Sequence, residues 1–286
     1  MDPSGRQNDP ATPSPSEPLR RDPLPLCGRT VLVTGVSRRD GIGHAIACRA
    51  AAMGANLFCH HHSAHDADQS WGADDVDAVL ASISTHLVDG ARLEHSPGDL
   101  TDEQGPERLV DAAVEAFDAL DGLVCNHALS GGDGALGELT APMLDAHWAV
   151  NARTSLLLTQ RFLHHHRPGS DASVVLMTSG QGEGPMSGEV AYAASKAALA
   201  GITTTLSDQV ADQHLRINTV NPGPVDTGYL TDAAWEHVGA QFPRGRFGRP
   251  DDPARLITWL LTEEAEWITG QVLSTEGGFA RWRAGS

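Results

Sequence analysis

Thr30-Val-Leu-Val-Thr34, followed by Gly35-Val-Ser-Arg-Arg-Asp-Gly41-Ile-Gly43 and then by His44-Ala-Ile-Ala-Cys-Arg-Ala-Ala-Ala-Met53, decides the fold of this chain. The first segment is an apolar run of strand length, and the last has helical composition and spacing. Glycines between them let the backbone turn tightly and approach a pyrophosphate, whose charge would sit among the unpaired N–H groups of the helix N-terminus. A glycine-rich turn alone says little, because many loops need glycine. Between a strand and a helix it marks a dinucleotide-binding context.

On either side of that unit, strands alternate with helices. Short β-rich runs occur at 30–34, 55–59, 92–95, 122–125, 173–178, 215–220 and 271–274. Ala- and Leu-rich amphipathic segments such as Glu107 to Leu120 and Met143 to Leu163 lie between them. The alternation predicts one α/β domain over 27–286, a doubly wound Rossmann-type fold whose central sheet has about seven strands, mostly parallel. Ligands should gather beyond the C-terminal ends of those strands.

A second stretch carries chemistry. Tyr192-Ala-Ala-Ser-Lys196 places a phenol and an ammonium four residues apart in a helical segment, so both share one face. The ammonium is expected to lower the phenol's pKa and make Tyr192 a proton donor and acceptor. Such a pair also occurs by chance on ordinary helices, so its companions matter. Val174-Val-Leu-Met-Thr-Ser179 is an apolar strand that ends in Ser179, thirteen residues before Tyr192. Val150-Asn151 lies in a helical stretch, and Asn221-Pro-Gly-Pro-Val-Asp-Thr227 forms a proline- and glycine-rich loop after a strand.

Together these residues resemble the short-chain dehydrogenase/reductase family from about Gly28 to Phe279, nearest in pattern to members like the 3-oxoacyl-acyl-carrier-protein reductases. The glycine loop is two residues longer than the usual Thr-Gly-x-x-x-Gly-x-Gly. Leu123-Val-Cys-Asn126-His-Ala128 keeps the second Asn of the family's Asn-Asn-Ala-Gly segment, with Cys125, His127 and Ala128 in place of the rest. The resemblance implies that Tyr192 gives a proton to the alkoxide formed from a carbonyl, that Ser179 orients that carbonyl, and that Lys196 lowers the Tyr192 pKa and holds the nicotinamide ribose. Asn151 would maintain a water joining Lys196 to solvent. Cofactor contacts are implied for Gly35, Ser37, Arg38, Arg39, Gly41, Ile42 and Gly43 in the first turn, and for Asp99, Leu100 and Asn126 after later strands. Pro222, Gly223, Val225 and Thr227 would hold the carboxamide, and Tyr192 and Lys196 complete the set.

Cofactor choice turns on the end of the second strand. Counting from Gly54, the position where NAD-preferring proteins carry an acid falls on His61. With no acid to repel a 2′-phosphate, and with Arg38 or Arg39 able to pair with one through a planar fork, NADP is favoured over NAD. The competing reading leaves both arginines in water.

Composition sets the remaining bounds. A formal net charge of -17 over 286 residues argues against a nucleic-acid partner, since such binding needs cationic neutralisation. Residues 1–26, punctuated by seven prolines, read as a disordered tail with no apolar core of a secretory signal. No stretch is apolar enough to cross a bilayer, so no membrane partner is expected. Cys27, Cys48, Cys59 and Cys125 contain no Cys-x-x-Cys pair, which fits a reduced, cytoplasmic chain. The triplets His60-His61-His62 and His164-His165-His166 would alternate or splay rather than converge, so no metal is expected.

A small-molecule carbonyl or alcohol is the expected substrate. The segment 226–249, with Tyr229, Leu230, Trp235 and Phe242, reads as a substrate lid, and Gly182 to Gly188 as a second wall. A carrier-linked 3-oxoacyl thioester is one candidate, docked through Arg244, Arg246 and Arg249. Sugar, polyol, steroid or secondary-metabolite ketones are others. The resemblance also implies a homotetramer packed through the helices bearing Asn151 and Tyr192. A catalytically silent NADP-binding sensor or scaffold is the alternative from another class.

Overall fold

The computed structural model describes residues 21–69, 71–231, 235–236 and 239–280. Seven parallel strands form one sheet in the order β3-β2-β1-β4-β5-β6-β7. They are β1 (Thr30–Val33), β2 (Asn56–His61), β3 (Leu93–Pro97), β4 (Gly122–Cys125), β5 (Ala172–Met177), β6 (Leu215–Asn221) and β7 (Val272–Ser274). The chain runs outward from β1 through β2 to β3, then returns to place β4 on the other side of β1. The crevice at this reversal, between β1 and β4, is where such sheets bind ligands.

The period of two along each strand divides the core. Val31 and Val33 face one layer, formed with α1 (Ile42–Ala52), α3 (Val76–Ser84) and α8 (Asp251–Leu260). Leu32 faces the other, formed with α4 (Gly105–Phe117), α6 (Thr154–His165) and α7 (Val190–Gln209). A five-residue helix, α2 (Ser63–Ala67), follows β2, and α5 (Ala141–His147) precedes α6.

Two boundaries differ from the sequence reading. Leu26 is fully buried and donates its N–H to the Met53 carbonyl, so the packed chain begins inside the stretch read as tail. Residues 1–20 of that tail lie outside the described residues. The segment Met143 to Leu163 is not one regular helix: Trp148–Arg153 forms a π-helical turn between α5 and α6, a wider spacing of hydrogen bonds that recurs at functional sites. Among the described residues no helix is long and apolar enough to cross a membrane.

Candidate active site

The glycine turn is shaped by contact with β4. Gly35 has a φ of +73°, and a Cβ there would lie 2.9 Å from the His127 Cα. A Cβ on Gly43 would fall 2.4 Å from the Gly35 carbonyl oxygen, so this glycine lets α1 pack against the turn and lines no cavity itself. Gly41 is the N-cap of α1; it offers no side-chain cap, and the first turn carries no acid. The N–H groups there are left for an anion, which fits the pyrophosphate of a dinucleotide.

A cleft of about 420 Å³ opens along these strand ends, lined by Gly35, Ser37, Arg38, Gly41 and Ile42 and, opposite them, by Asp99, Leu100, Asn126, Pro222 and Thr227. Ser37 Oγ accepts from the His62 N–H at 3.1 Å, pinning the extended loop to the end of β2. Asn126 donates its amide to the Thr34 and Gly35 carbonyls at 3.0 and 3.1 Å. His127, where the family pattern has Ala, adds to this bracing. Its Nε2 donates to the Val150 carbonyl at 3.0 Å and its Nδ1 meets Thr34 Oγ1 at 2.7 Å, while burial pushes its pKa down to about 3.

Two expected cofactor residues turn away. Strand β2 continues through His61, two residues past the predicted end, so alternation aims His60 and His62 at the cleft and His61 behind it, 3.1 Å from the His95 ring. Arg39 points outward, where both its guanidinium and its N–H bind the exposed-side Asp74 carboxylate at 2.7 to 3.0 Å. Arg38 is the arginine in the cleft. Its Nε pairs with Asp66 at 3.0 Å, its Nη1 donates to the Thr227 carbonyl at 2.7 Å, and its guanidinium lies 5.1 Å over the Trp71 ring. His65 Nε2 is buried on the same side without a partner. His62, His65, Asp66 and Trp71 all line the cleft and escaped the sequence reading, because α2 and the turn after it carry no motif.

Tyr192 lines this cleft and also a second cavity of about 680 Å³, as do Ile42, Trp71, Ser130, Pro222 and Thr227, so the two adjoin along these residues. Ser179 lines the second cavity with Tyr192, its Oγ donating to Met186 Sδ at 3.9 Å, and its hydroxyl works to lower the Tyr192 pKa. Lys196 stands 5.9 Å from the centre of the Tyr192 ring and donates its ammonium to the Met177 carbonyl at 3.1 Å. The expected acidification of Tyr192 is not what this arrangement produces. Burial pushes the phenol up to about 12, against the pull of the Ser179 hydroxyl, and lowers Lys196 to about 8. A sequence spacing cannot register burial, which here sets the direction of the shift.

Asn151 lies in the π-helical turn, fully buried, and lines neither cavity. Its Oδ1 accepts from the Leu129 N–H at 2.7 Å, and its Nδ2 donates to the Leu129 carbonyl at 3.2 Å and to Ser195 Oγ at 3.0 Å. Those bonds tie the loop after β4 to α7.

A family described as enoyl-(acyl carrier protein) reductase matches residues 35–280 through its model. A short-chain dehydrogenase/reductase of Serratia marcescens superposes with a TM-score of 0.78 at 31% identity, over 90% of this chain and 99% of that one. The chain belongs to the short-chain dehydrogenase/reductase family. An uncharacterized oxidoreductase of Bacillus subtilis, YjdA, is 36% identical over 88% of this chain and 97% of its own length. A short-chain dehydrogenase of Burkholderia cenocepacia, solved in complex with NADP, gives a TM-score of 0.77 at 33% identity, covering 89% and 98% of the two chains. The protein is thus an oxidoreductase of this family.

In this short-chain dehydrogenase/reductase the second cavity has three walls. Ser130, Gly131 and Gly132 form one, Glu183, Met186 and Gly188 another, and Val225, Tyr229 and Phe279 the third. Gly223 and Val225 from the proline- and glycine-rich loop face this cavity rather than the first. Phe242 lies outside it: its ring stacks on Phe247 and Phe279 at 4.4 and 4.6 Å and joins Trp235 in packing the lid onto the body. Parts of that lid, residues 232–234 and 237–238, lie outside the described residues. Glu276, with Oε2 buried and without a hydrogen-bond partner among the described residues, is a lining residue no motif announced.

Proposed function

We propose that this protein is an NADP-dependent ketone reductase or secondary-alcohol dehydrogenase in which Ser179, Tyr192 and Lys196 carry the proton chemistry. The observation that carries the reading is Tyr192 lining both cavities, with Ser179 lining the second and Lys196 the first. A bound nicotinamide supplies or accepts the hydride. At neutral pH the buried phenol keeps its proton, which suits donation to a developing alkoxide, while Ser179 holds the carbonyl oxygen beside it. Lys196, with a pKa near 8, is an ammonium below that pH and places a positive charge under the reacting groups. Asn151 acts through Leu129 and Ser195, as a brace for the loop and helix that frame the site.

Arg38 supports NADP. It is held in the cleft by the Asp66 carboxylate, and a 2′-phosphate would offer the same fork a dianion. Gly223 and Val225 would meet the cofactor where the two cavities join. The lid over 226–249 would close on the carbonyl through Tyr229. Among the described residues, Asp133, Glu183, Glu189 and Glu276 line the second cavity without any Arg or Lys, which favours neutral ketones over carboxylate-bearing ones. Arg246 of the suggested carrier-docking patch is already paired with Asp252 at 2.6 Å, so a carrier-linked thioester is the weaker substrate reading.

A homotetramer is supported by Val272 on the edge strand β7 and the 95% exposed Trp267 in the turn that precedes it, and by the exposed small residues Ala194, Ala197 and Gly201 along α7. Four free cysteines support a reducing, cytoplasmic setting. The test is NADPH oxidation against a panel of neutral ketones and a 3-oxoacyl thioester. Tyr192→Phe should cost at least about a hundredfold in turnover with cofactor binding intact. Arg38→Ala should weaken NADP at least about tenfold and NAD by less than threefold, and equal losses for both would sink the phosphate reading. Cofactor binding with no turnover on any carbonyl would favour the sensor or scaffold alternative.

A further inference from the structure

The N-terminal turn of α7, which carries Tyr192, has no cap of its own: the N-cap residue Glu189 makes no side-chain bond to it. The orphan N–H groups are taken instead by two residues of the loop between β4 and α5. Val190 donates to the Gly134 carbonyl at 3.4 Å, Ala191 to Asp133 Oδ1 at 3.0 Å, and Tyr192 itself to Asp133 Oδ2 at 2.7 Å. Asp133 Oδ1 also accepts the Gly134 N–H at 2.7 Å. One carboxylate thus takes three backbone donors, and these contacts hold its pKa below the usual range against burial.

Asp133 is delivered by Gly131 and Gly132, both in the left-handed region with φ of +78° and +64°, a turn that other residues adopt only with strain. Gly131, Gly132 and Asp133 all line the second cavity. From the other side, the His147 ring of α5 stands edge-on to the Tyr192 ring, with centroids 6.1 Å apart. The segment that walls the substrate space therefore also grips the backbone of the proposed acid.

We propose that Asp133 is a positioning residue for Tyr192: a cap reaching in from the substrate loop that fixes the first turn of α7 and so sets where the phenol stands. This rests on the reading of Tyr192 as the proton donor. A cap in this position acts on turnover more than on binding, because cofactor and carbonyl are held by other groups. A residue that only stabilised the fold would lower stability and all kinetic constants together.

The experiment measures kcat and KM for a turned-over ketone, and the dissociation constant for NADPH, in wild type, Asp133→Asn, Asp133→Ala and Tyr192→Phe. The expected order of kcat is wild type, then Asp133→Asn, then Asp133→Ala at least tenfold down, with KM and NADPH affinity within threefold throughout. Partial rescue by Asn follows because its amide keeps one of the two acceptor oxygens. An Asp133→Ala enzyme within twofold of wild-type kcat overturns the proposal, as does a loss carried in KM or NADPH binding. Should Asp133→Ala not fold, Asp133→Asn decides: a kcat at least threefold lower with NADPH affinity unchanged supports the role, and a wild-type kcat overturns it. Turnover surviving in Tyr192→Phe would instead refute the proton-donor reading, whatever Asp133 does.

Discussion

Helices α1 and α7 bring their N-termini to the same cleft and are finished in opposite ways. The end of α1 is bare: Gly41 caps nothing, and no acid sits in the first turn. The end of α7 is closed, its N–H groups taken up by Asp133 and the Gly134 carbonyl. Both ends carry the same partial positive charge. An end left open is reserved for the anion of a ligand; an end filled from within is fixed, and its side chains can be aimed.

Of the changes that bear on this contrast, closing the open end should have the largest effect. Gly41→Asp would give α1 an internal anion like the one on α7, with φ and ψ already suited to an aspartate cap. Dinucleotide affinity should fall at least about tenfold, roughly 1.4 kcal/mol. The Arg38 carbonyl, 3.0 Å from the new Cβ, must shift slightly, so the melting temperature should change little. Titration of the cofactor checks this, and an unchanged dissociation constant would erase the distinction between the two helices.

A smaller effect tests how deeply the closed helix is buried. The Lys196 pKa falls to about 8 on folding, so the unfolded chain holds an extra proton between about pH 8 and the free lysine range near 10.4. Stability therefore rises with pH across that window through this group. Lys196→Met abolishes the dependence: its melting-temperature advantage over wild type should be greatest at pH 7 and shrink by pH 10. An advantage that grows with pH would mean that the ammonium is not desolvated.

The smallest expected change is at His147, 1% exposed and with neither ring nitrogen hydrogen-bonded among the described residues. His147→Leu removes two unsatisfied polar atoms at similar volume and should stabilise the fold by about 1 kcal/mol in a denaturant titration. A loss of stability would show that the ring is bonded where it stands.

Strands such as β1, β4 and β5 are legible as compact apolar runs, whereas the edge strand β3, Leu-Glu-His-Ser-Pro, is mostly polar, and the strand order follows from one reversal at β1. Tyr192, Lys196 and Ser179 stand along the two cavities because a short motif places them on adjoining elements. His61 was misread because β2 runs on into a polar triplet, which apolar patterning cannot follow. Arg38 and Arg39 looked equivalent until Asp74 and Asp66, distant in sequence, drew them to opposite sides. Asn151 was found by its motif, but its bonds depend on a π-helical turn with no compositional mark. Asp133 left no trace at all, since capping from another loop has no fixed spacing.

The hydrogen bond from Arg38 to the Thr227 carbonyl joins the two banks of the dinucleotide cleft. A visitor that needs both banks must first part them, so encounter and settling become separate events. At high nucleotide concentration the observed association rate should then level off at the frequency with which that clasp opens.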